Sequence, residues 1–443
     1  MFKKIEVWIV YLIVIFFIGF IILFSAVVRS SYVNGDLLVR FQPAAIFVAE
    51  IPSNFIKLFD ISNINESYIE KEESTEETLT KTLTFQESNL ELNIVNTLNS
   101  GYILVSGYNP NYKQPSIFLF DIANNKILHE WFYDRELLSD KNYRFQHPLL
   151  LENGDIITSS GEGDLIKLNF CSDLLWRNER HFHHSIEIFE ENQIIVPTWY
   201  ENTSYLKNYI SSNLKVRDDG FAFVNLTNGE ILKEYSLIKI LLENGYEGLV
   251  TLAISQINMP DDINIDPIHL NDAEPILFTD KFVKKGDVML SSRHLNFVAL
   301  YRPSNNKIIF LVQGLFSMQH DLDYQGNGVF TFFGNDNIRH NSNDNRLKDS
   351  SSIYSYDMKT NKVEIIQDLS SIGIAINSQG LHEYVNNGIF LDTASQIFIV
   401  NEKNEILFNL SINLNEEKFG ALHWSRYYEN LDFINFSFDS KSC

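Results

Sequence analysis

The chain has 443 residues, 45% of them hydrophobic, so it can bury a large core. Its formal net charge of −22 argues against a nucleic-acid partner, because phosphate binding needs clustered lysine and arginine side chains. The two cysteines, Cys171 and Cys443, show no CxxC spacing and have no other cysteine near them. They could pair only if the C-terminus folded back to the middle of the chain, and we expect that they do not pair.

An apolar run without charged residues begins the chain at residues 7–28 and is 22 residues long. At about 1.5 Å per helical residue it crosses a hydrocarbon core of roughly 30 Å. Lys3 and Lys4 precede it, which places the N-terminus in the cytoplasm and the remaining chain on the periplasmic or extracytoplasmic side. A cleaved signal peptide is the alternative, but the run exceeds the usual apolar core of about 7–15 residues. We therefore predict an uncleaved, single-pass membrane anchor.

A connector follows the anchor and contains an acidic stretch at residues 63–77, NINESYIEKEESTEE. Such a stretch cannot bury apolar area, so it is predicted to be a solvated linker. The predicted organisation is an anchor at 1–29, a connector at 30–89 and one all-β domain at 90–443.

The all-β domain contains an internal repeat. Two β-rich runs around a tight turn predict a β-hairpin, and this pattern occurs six times. The copies span residues 116–131, 164–179, 221–237, 296–314, 352–369 and 396–412. Successive turns lie between 43 residues apart (Asn361 to Asn404) and 77 residues apart (Gly229 to Asn306). The longest spacing contains an insertion, 238–268, whose first half has helical character.

A second hairpin precedes each of these copies. The six preceding hairpins are predicted at residues 92–107, 147–161, 184–198, 271–293, 320–334 and 379–393. Four strands per repeat, with a period near 40–50 residues, are typical of a β-propeller. We therefore predict a six-bladed propeller over about residues 90–430, with the C-terminal tail closing the ring or packing under it.

Polar residues share one register on the predicted innermost strands. They are His147, His184, Asn271, His320 and Gln379, with His269 two places before Asn271. Innermost strands line the channel of a propeller, so equal registers are expected to converge there. Arg293 ends a neighbouring strand, and its guanidinium would repel a dication but suits an oxyanion such as sulfate or phosphate. The pattern therefore favours an anion site without a metal ion or other cofactor.

Four phrases in the chain resemble the motifs of bacterial aryl-sulfate sulfotransferases, in the order of that family. They are WRNERHFHHSIEIFEEN, DPIHLNDAEPI, GDVMLSSRHLN and SMQHDLDYQGNGVFTFFGN. The resemblance implies a six-bladed propeller that moves a sulfuryl group from an aryl sulfate to a phenol. No nucleotide donor is used, and the intermediate is a sulfohistidine.

The resemblance also implies roles for individual residues. His320 would be the nucleophile, and Arg293 would hold the sulfuryl oxygens. His184, His269 and Asn271 would bind those oxygens or assist proton transfer. His147, His183 and Gln379 are expected to contribute to substrate binding. A neutral imidazole is nucleophilic near pH 7, and fixed donors stabilise the charge on a transferring group.

The chain departs from the family at two places. Ser185 follows His183 and His184 where the family usually has Asp, and Ser378 and Gln379 stand near the place of a late Lys-Thr pair. These departures leave open a propeller that binds anions without turnover. A histidine-ligated metalloenzyme is a further alternative, against which Arg293 and Asn271 count. A calcium-dependent hydrolase would need converging carboxylates at this register and is not favoured.

Overall fold

The computed structural model describes residues 7–32, 38–41, 44–45, 48–49, 68–70, 81–85, 90–109, 114–134, 137, 144–200, 216–255, 266–338, 345–346, 348, 350–413, 418–438 and 443. The chain divides into two compact units, Met1–Glu66 and Ser67–Cys443. Apart from Tyr68–Glu70, the acidic stretch predicted as a linker lies outside the described residues. The predicted boundaries at residues 30 and 90 stay predictions.

The first unit contains one long helix, Val7–Tyr32, which is followed by a short 3-10 helix, Val39–Phe41. Residues Tyr11–Ser30 of the long helix are apolar and numerous enough to cross a membrane. The uncharged run predicted as an anchor lies within this helix. A signal sequence has the same length and composition, so the helix alone does not distinguish the two.

The second unit contains six sheets with four radial strand positions each, and we number these blades in chain order. The strands of blade 1 are Tyr102–Asn109, Gln114–Asp121, Lys126–Phe132 and, innermost, Arg426–Tyr428. Those of blade 2 are Phe145–Leu150, Ile156–Ser160, Leu165–Leu168 and Leu174–Asn178. Those of blade 3 are His181–Phe182 and Glu187–Glu190, which share one partner, then Gln193–Tyr200, Asp218–Asn225 and Ile231–Ser236.

The other three blades repeat the same antiparallel order. The strands of blade 4 are Leu270–Pro275, Val288–Ser292, Phe297–Arg302 and Lys307–Gln313. Those of blade 5 are His320–Gly326, Val329–Gly334, Ser352–Asp357 and Lys362–Asp368. Those of blade 6 are Leu381–Val385, Gly388–Asp392, Ile397–Val400 and Ile406–Ile412, with Leu90–Asn96 and Lys81–Phe85 added outside.

Smaller elements decorate the blades. Two short strand pairs are Tyr68–Glu70 with Lys418–Gly420 and Asn337–Ile338 with Asn345–Arg346. The predicted helical insertion consists of helices Leu237–Glu243 and Glu247–Ser255, and a 3-10 helix spans Leu369–Ile372. Four of the outer hairpin turns have an asparagine with positive φ, a conformation that asparagine tolerates well; these are Asn125, Asn306, Asn361 and Asn404.

Hydrophobic side chains form six separate cores, one between each pair of neighbouring blades. Phe118 and Phe390 share one core and thereby join blade 1 to blade 6. Equivalent cores join blades 1 and 2, 2 and 3, 3 and 4, 4 and 5, and 5 and 6. Six cores between six blades require a closed ring, so the predicted six-bladed propeller is confirmed.

Ring closure corrects one part of the repeat prediction. The predicted hairpin 92–107 does not form, because Leu90–Asn96 pairs with Ile406–Ile412 of blade 6. The innermost strand of blade 1 comes instead from the C-terminal tail, where Arg426–Tyr428 pairs with Tyr102–Leu104. The N-terminal part of the domain thus adds a strand to the last blade, and the C-terminal part adds a strand to the first. These two exchanges close the ring.

The prediction that the cysteines do not pair is wrong. Cys171 and Cys443 form a disulfide with Cα atoms 5.4 Å apart. The C-terminal tail folds back on blade 2, where the rings of Phe436 and Phe438 lie 5.4 and 6.1 Å from that of Phe170. Burial of these aromatic rings carries the C-terminus to Cys171, a contact that cysteine spacing alone did not indicate.

Candidate active site

A residue in the left-handed backbone conformation lies near the start of several innermost strands. The residues are His147, His184, His269, Gln379 and Trp424, with φ between 44° and 69°. Strand register shifts at or next to His147, Asn271 and His320. Left-handed non-glycine residues and bulges are uncommon and re-aim side chains, so their recurrence indicates a geometry imposed by the ring.

The re-aimed side chains meet in one place, which we name the imidazole cluster. Its members are His147, His184, His269, His320 and Trp424. The His184 ring centre lies 5.2 Å from that of His269, 6.1 Å from that of His320 and 5.4 Å from that of Trp424. Residues that are up to 277 positions apart in sequence (His147 to Trp424) therefore share one site.

Hydrogen bonds determine which nitrogen of His320 carries the hydrogen. The Asn335 side-chain Nδ2 donates to the carbonyl oxygens of Ile376 (3.0 Å) and Gln379 (2.8 Å). Its Oδ1 therefore faces Nδ1 of His320 at 2.5 Å and can only accept. Nδ1 must then carry the hydrogen, and Nε2 keeps its lone pair. Burial and the Arg293 guanidinium lower the pKa of His320 to about 3, so the ring is neutral at pH 7.

A chain of hydrogen bonds orients His184 in the opposite sense. Arg217 Nη2 lies 3.3 Å from Nε2 of His183, and a guanidinium only donates. His183 Nδ1 therefore donates to Nδ1 of His184 at 2.7 Å, which leaves a hydrogen on Nε2 of His184. Asp219 holds Arg217 through its Nε at 2.7 Å. Burial, followed by His183 and other nearby imidazoles, lowers the pKa of His184 well below its usual value.

Asp266 orients His269. Its carboxylate oxygen lies 2.5 Å from Nδ1 of His269. Burial alone would raise the pKa of Asp266, but Arg217, His269 and His294 lower it well below its usual range. The ionised carboxylate accepts from Nδ1, so Nε2 of His269 has a free lone pair. Burial lowers the pKa of His269 well below its usual value although Asp266 opposes this.

Arg293 is held beside this group. Its Nη1 lies 3.2 Å from Nε2 of His294, whose Nδ1 donates to the carbonyl oxygen of Asp266 at 2.8 Å. Its Nη2 donates to the carbonyl oxygen of Asn377 at 3.4 Å. The guanidinium is therefore anchored from blades 4 and 6 at the edge of the imidazole cluster.

The remaining residues predicted for the site lie around the cluster. Asn271 is fully buried and donates to the carbonyl oxygen of Gln319 at 2.6 Å, while no described residue donates to its Oδ1. His147 accepts from the backbone N–H of Ile186 at 3.1 Å. His183 lies fully buried behind His184. Gln379 accepts from Nδ1 of His423 at 3.3 Å through its side chain.

Residues further along the innermost strands of blades 4, 5 and 6 form a second group, the carboxyl cluster. It consists of Asp272, Glu274, Asp321, Asp323 and Glu383. Burial raises the pKa of each, to about 7 for Glu383. Neighbouring carboxylates raise these pKa values further. His382 lies among them and contacts Asp321 at 2.6 Å.

Two sets of side chains within the described residues have the spacing of metal ligands. They are Asp266, His269 and His294, and Asp321, Asp323 and His382. In the first set, both Nδ1 atoms are engaged with Asp266, and Arg217 and Arg293 lie close by. In the second, His382 bonds Asp321 through Nδ1 and Thr331 through Nε2 at 2.8 Å. In both sets, nitrogen atoms that could bind a metal are therefore already hydrogen-bonded to protein groups.

Four site residues were not predicted from the sequence. Asn335 and Asp266 lie inside two of the quoted motifs, so a signal for them was present. Arg217 lies outside the four motifs, and only the fold brings it to the site. Trp424 was missed because the innermost strand of blade 1 was assigned to 92–107, whereas the C-terminal tail supplies it.

Fold and site together define a propeller that brings together three neutral imidazoles beside an anchored arginine, an arrangement suited to an oxyanion. The chain belongs to the arylsulfotransferase (ASST) family, whose model matches residues 147–412. This membership supports aryl sulfotransfer, with an aryl sulfate as donor and a phenol as acceptor.

Comparison with other proteins adds the following. No curated protein matches the sequence significantly. A solved structure of a protein of unknown function from Bacteroides caccae matches with a TM-score of 0.48 and 11% identity, covering 75% of this chain and 100% of the other. The β-propeller domain of Cps50 (Swd1) from Myceliophteria thermophila matches with a TM-score of 0.40 and 9% identity, covering 75% and 99%.

Proposed function

We propose that the protein is a membrane-anchored arylsulfotransferase that works by double displacement through a sulfuryl group on Nε2 of His320. The observation that carries the proposal is the contact between Nδ1 of His320 and the side-chain oxygen of Asn335, which leaves a lone pair on Nε2. Burial and Arg293 lower the pKa of the ring and keep it neutral, so Nε2 is available as a nucleophile.

In the first step, Nε2 of His320 attacks the sulfur of an aryl sulfate. The bond from sulfur to the aryl oxygen breaks, and its electron pair leaves on the phenolate, which takes a proton from water. In the second step, the oxygen of an acceptor phenol attacks the same sulfur and the Nε2–S bond breaks. The electron pair of that bond returns to Nε2, and the acceptor proton goes to a base, which then releases it to solvent and so replaces the proton that the first step took from water.

His269 is the base that the geometry favours. Asp266 accepts the hydrogen on Nδ1 and leaves the Nε2 lone pair available, and the two rings of His269 and His320 both adjoin His184. His184 has the opposite tautomer, with a hydrogen on Nε2. It therefore acts as a donor to the sulfuryl oxygens together with Arg293, because those oxygens only accept.

The proposal includes anchoring by the helix Val7–Tyr32, with the propeller on the extracytoplasmic side. Lys3 and Lys4 precede the helix, and the Cys171–Cys443 disulfide suits an oxidising compartment. Protease added outside spheroplasts should degrade the propeller. Protection of the propeller in intact spheroplasts would reverse the topology.

The chemistry is tested by trapping the intermediate. Full-length protein incubated with 4-nitrophenyl sulfate and no acceptor should release one equivalent of 4-nitrophenol and gain one sulfuryl group on His320 by peptide mass spectrometry. Added phenol should discharge the adduct. His320→Asn should show neither, whereas His181→Asn should behave as wild type because His181 is an exposed ring stacked on Trp199. Turnover by the His320 variant would make the nucleophile wrong, and saturable binding without turnover would favour a binding propeller.

A further inference from the structure

Trp424 lies in the C-terminal segment that closes the ring, beyond residues 147–412 that match the family. The backbone on either side is tied to two blades. His423 N–H donates to the carbonyl oxygen of Ser106 in blade 1 at 2.9 Å, and Ser425 N–H donates to Asp392 in blade 6 at 2.7 Å. Between them Trp424 has φ +56°, which is rare for a bulky residue. Such a conformation persists where the surrounding structure imposes it, often at functional sites.

The indole of Trp424 lies among the imidazoles of the proposed site. Its ring centre is 5.4 Å from that of His184, 5.6 Å from that of His147 and 6.3 Å from that of His320, with near-perpendicular planes. The side chain is 1% exposed. Trp424 therefore belongs to the group that surrounds the nucleophile and not only to the blade interface.

The indole nitrogen of Trp424 has an unusual surrounding. Nε1 is buried, and none of the described residues accepts a hydrogen bond from it. Trp131 and Trp176 differ, since their Nε1 atoms donate at 3.2 Å to the carbonyl oxygens of Gly154 and Leu226. Trp199 Nε1 also has no acceptor among the described residues, but its ring lies against His181 and Arg217 and not among the rings of the imidazole cluster. A buried N–H without an acceptor is rare and costly, and an indole can only donate. An acceptor from outside the chain fits this position.

We infer that Trp424 is part of the substrate site and that its indole N–H donates to an oxygen of the bound sulfate group. The identity of the ligand rests on the proposed function. Sulfate oxygens accept and never donate, and the other groups directed at them, His184 Nε2 and Arg293, are donors too. A neutral indole adds a third donor from a third part of the chain. The bound group is thereby held by blades 3 and 4 and by the closing segment.

Nuclear magnetic resonance of the full chain in detergent micelles tests the inference directly. With ¹⁵N-labelled tryptophan, each indole gives one resonance, and Trp424→Phe identifies that of Trp424 by its loss. Sodium sulfate should shift this resonance downfield and saturably, compared with sodium chloride at equal ionic strength. The Trp176 resonance should not move. If Trp424→Phe does not fold, four other variants identify the resonance by elimination, namely Trp8→Phe, Trp131→Phe, Trp176→Phe and Trp199→Phe.

Binding measurements complete the test. Trp424→Phe should weaken the binding of sodium sulfate and 4-nitrophenyl sulfate about two- to tenfold, as the loss of one hydrogen bond does. Trp176→Phe should leave both affinities unchanged. Sulfate binding seen by calorimetry without a shift at Trp424, or unchanged affinity in Trp424→Phe, would overturn the inference even if His320 forms the adduct. A shift at Trp424 in a protein that forms no adduct would uphold this contact and reject sulfuryl transfer.

Discussion

The imidazole cluster and the carboxyl cluster meet on the innermost strands of blades 4 and 5, yet they are built differently. Each key imidazole is oriented by a partner outside the cluster: Asn335 for His320, His183 for His184 and Asp266 for His269. The carboxyl groups also have partners, since Asp272 accepts from the backbone N–H of Leu322 and Asp321 from that of His382. Burial, followed by neighbouring carboxylates, nevertheless raises their pKa values. The partners of the imidazoles fix a tautomer, whereas those of the carboxyl groups do not offset the effect of burial on the pKa.

The groups of both clusters nevertheless have pKa values shifted in favour of the neutral form. Burial lowers the pKa values of the imidazoles and raises those of the carboxyl groups, because it penalises whichever form is charged. The channel therefore carries less charge at neutral pH than its residues suggest. The two clusters differ in consequence, since a neutral imidazole is a nucleophile or base and a neutral carboxyl group is neither.

Among variants that keep His320, the largest effect is expected from removing the charge beside the imidazoles. Arg293→Met should lower kcat/KM for an aryl sulfate about 10²- to 10³-fold, the usual result of losing an oxyanion donor. Arg302→Met is the matched control, because Arg302 pairs with Asp287 at 2.7 Å on a middle strand of the same blade. Steady-state release of 4-nitrophenol measures both. Equal losses in the two variants would attribute the effect to blade stability.

Asn335→Leu tests whether a partner outside the cluster orients His320. Without its acceptor, Nδ1 no longer holds the hydrogen, and kcat should fall about 10- to 100-fold, as small misplacements of a reacting group do. The ¹⁵N shifts of the His320 ring should show loss of the single Nδ1–H tautomer. Asn409→Leu, a buried asparagine of blade 6 that donates to Ile397, serves as control. A retained tautomer in the Asn335 variant would contradict the assignment.

The two clusters should affect stability with opposite dependence on pH. The pKa of His320 is lowered from 6.5 to about 3, so between these values the unfolded chain binds more protons and the free energy of unfolding is lost as pH falls. The pKa of Glu383 is raised from 4.5 to about 7, so in that window the free energy of unfolding is lost as pH rises. Each slope is at most about 1.4 kcal/mol per pH unit.

Urea unfolding between about pH 4 and pH 8 measures these slopes. His320→Asn should flatten the acid side of the profile, and Glu383→Gln should flatten the decline above pH 4.5. Identical profiles for wild type and both variants would show that neither group changes its protonation on folding.

The smallest effect concerns repulsion within the carboxyl cluster. Asp323→Asn should raise the free energy of unfolding near pH 7 by about 1 kcal/mol, the usual size of a single stabilising substitution, because burial and then Asp321 disfavour the Asp323 carboxylate. Turnover should stay within about twofold, because no step of the proposed reaction uses this group. Asp357→Asn is the control, since the Lys359 backbone N–H lowers the pKa of Asp357. Destabilisation by Asp323→Asn would show that the cluster holds a favourable contact.

Sequence predicted most of the fold because hairpins are local. The outer turns at Asn125 and Asn361 combine alternating strands with a residue that tolerates positive φ, and both form as predicted. Ring closure was not predictable in the same way. The alternating pattern of strand Leu90–Asn96 suits pairing in blade 1 as well as in blade 6. Only its pairing with a strand from the other end of the chain assigns it to blade 6.

The site, too, has a part that the sequence predicts and a part that it does not. The register that places His184, His269 and His320 together depends on local alternation within each blade. Their partners depend on contacts between blades, such as that of Arg217 with His183 or of Asn335 with Gln379, and no pattern in one repeat specifies them. Trp424 and the Cys171–Cys443 disulfide depend on the path of the tail, which is set by aromatic burial against blade 2.

Ring closure by the tail also has a consequence for how the protein is made. A ribosome completes blades 2 to 5 in order, but blade 1 lacks its innermost strand until Arg426–Tyr428 has been synthesised. Trp424 joins the imidazoles only at that moment, and Cys443, further along the chain, then locks the tail to Cys171. A prematurely terminated chain would possess His184, His269, Arg293 and His320 but would remain an open ring. The fold thus couples the assembly of its channel to the synthesis of the segment from Trp424 to Cys443.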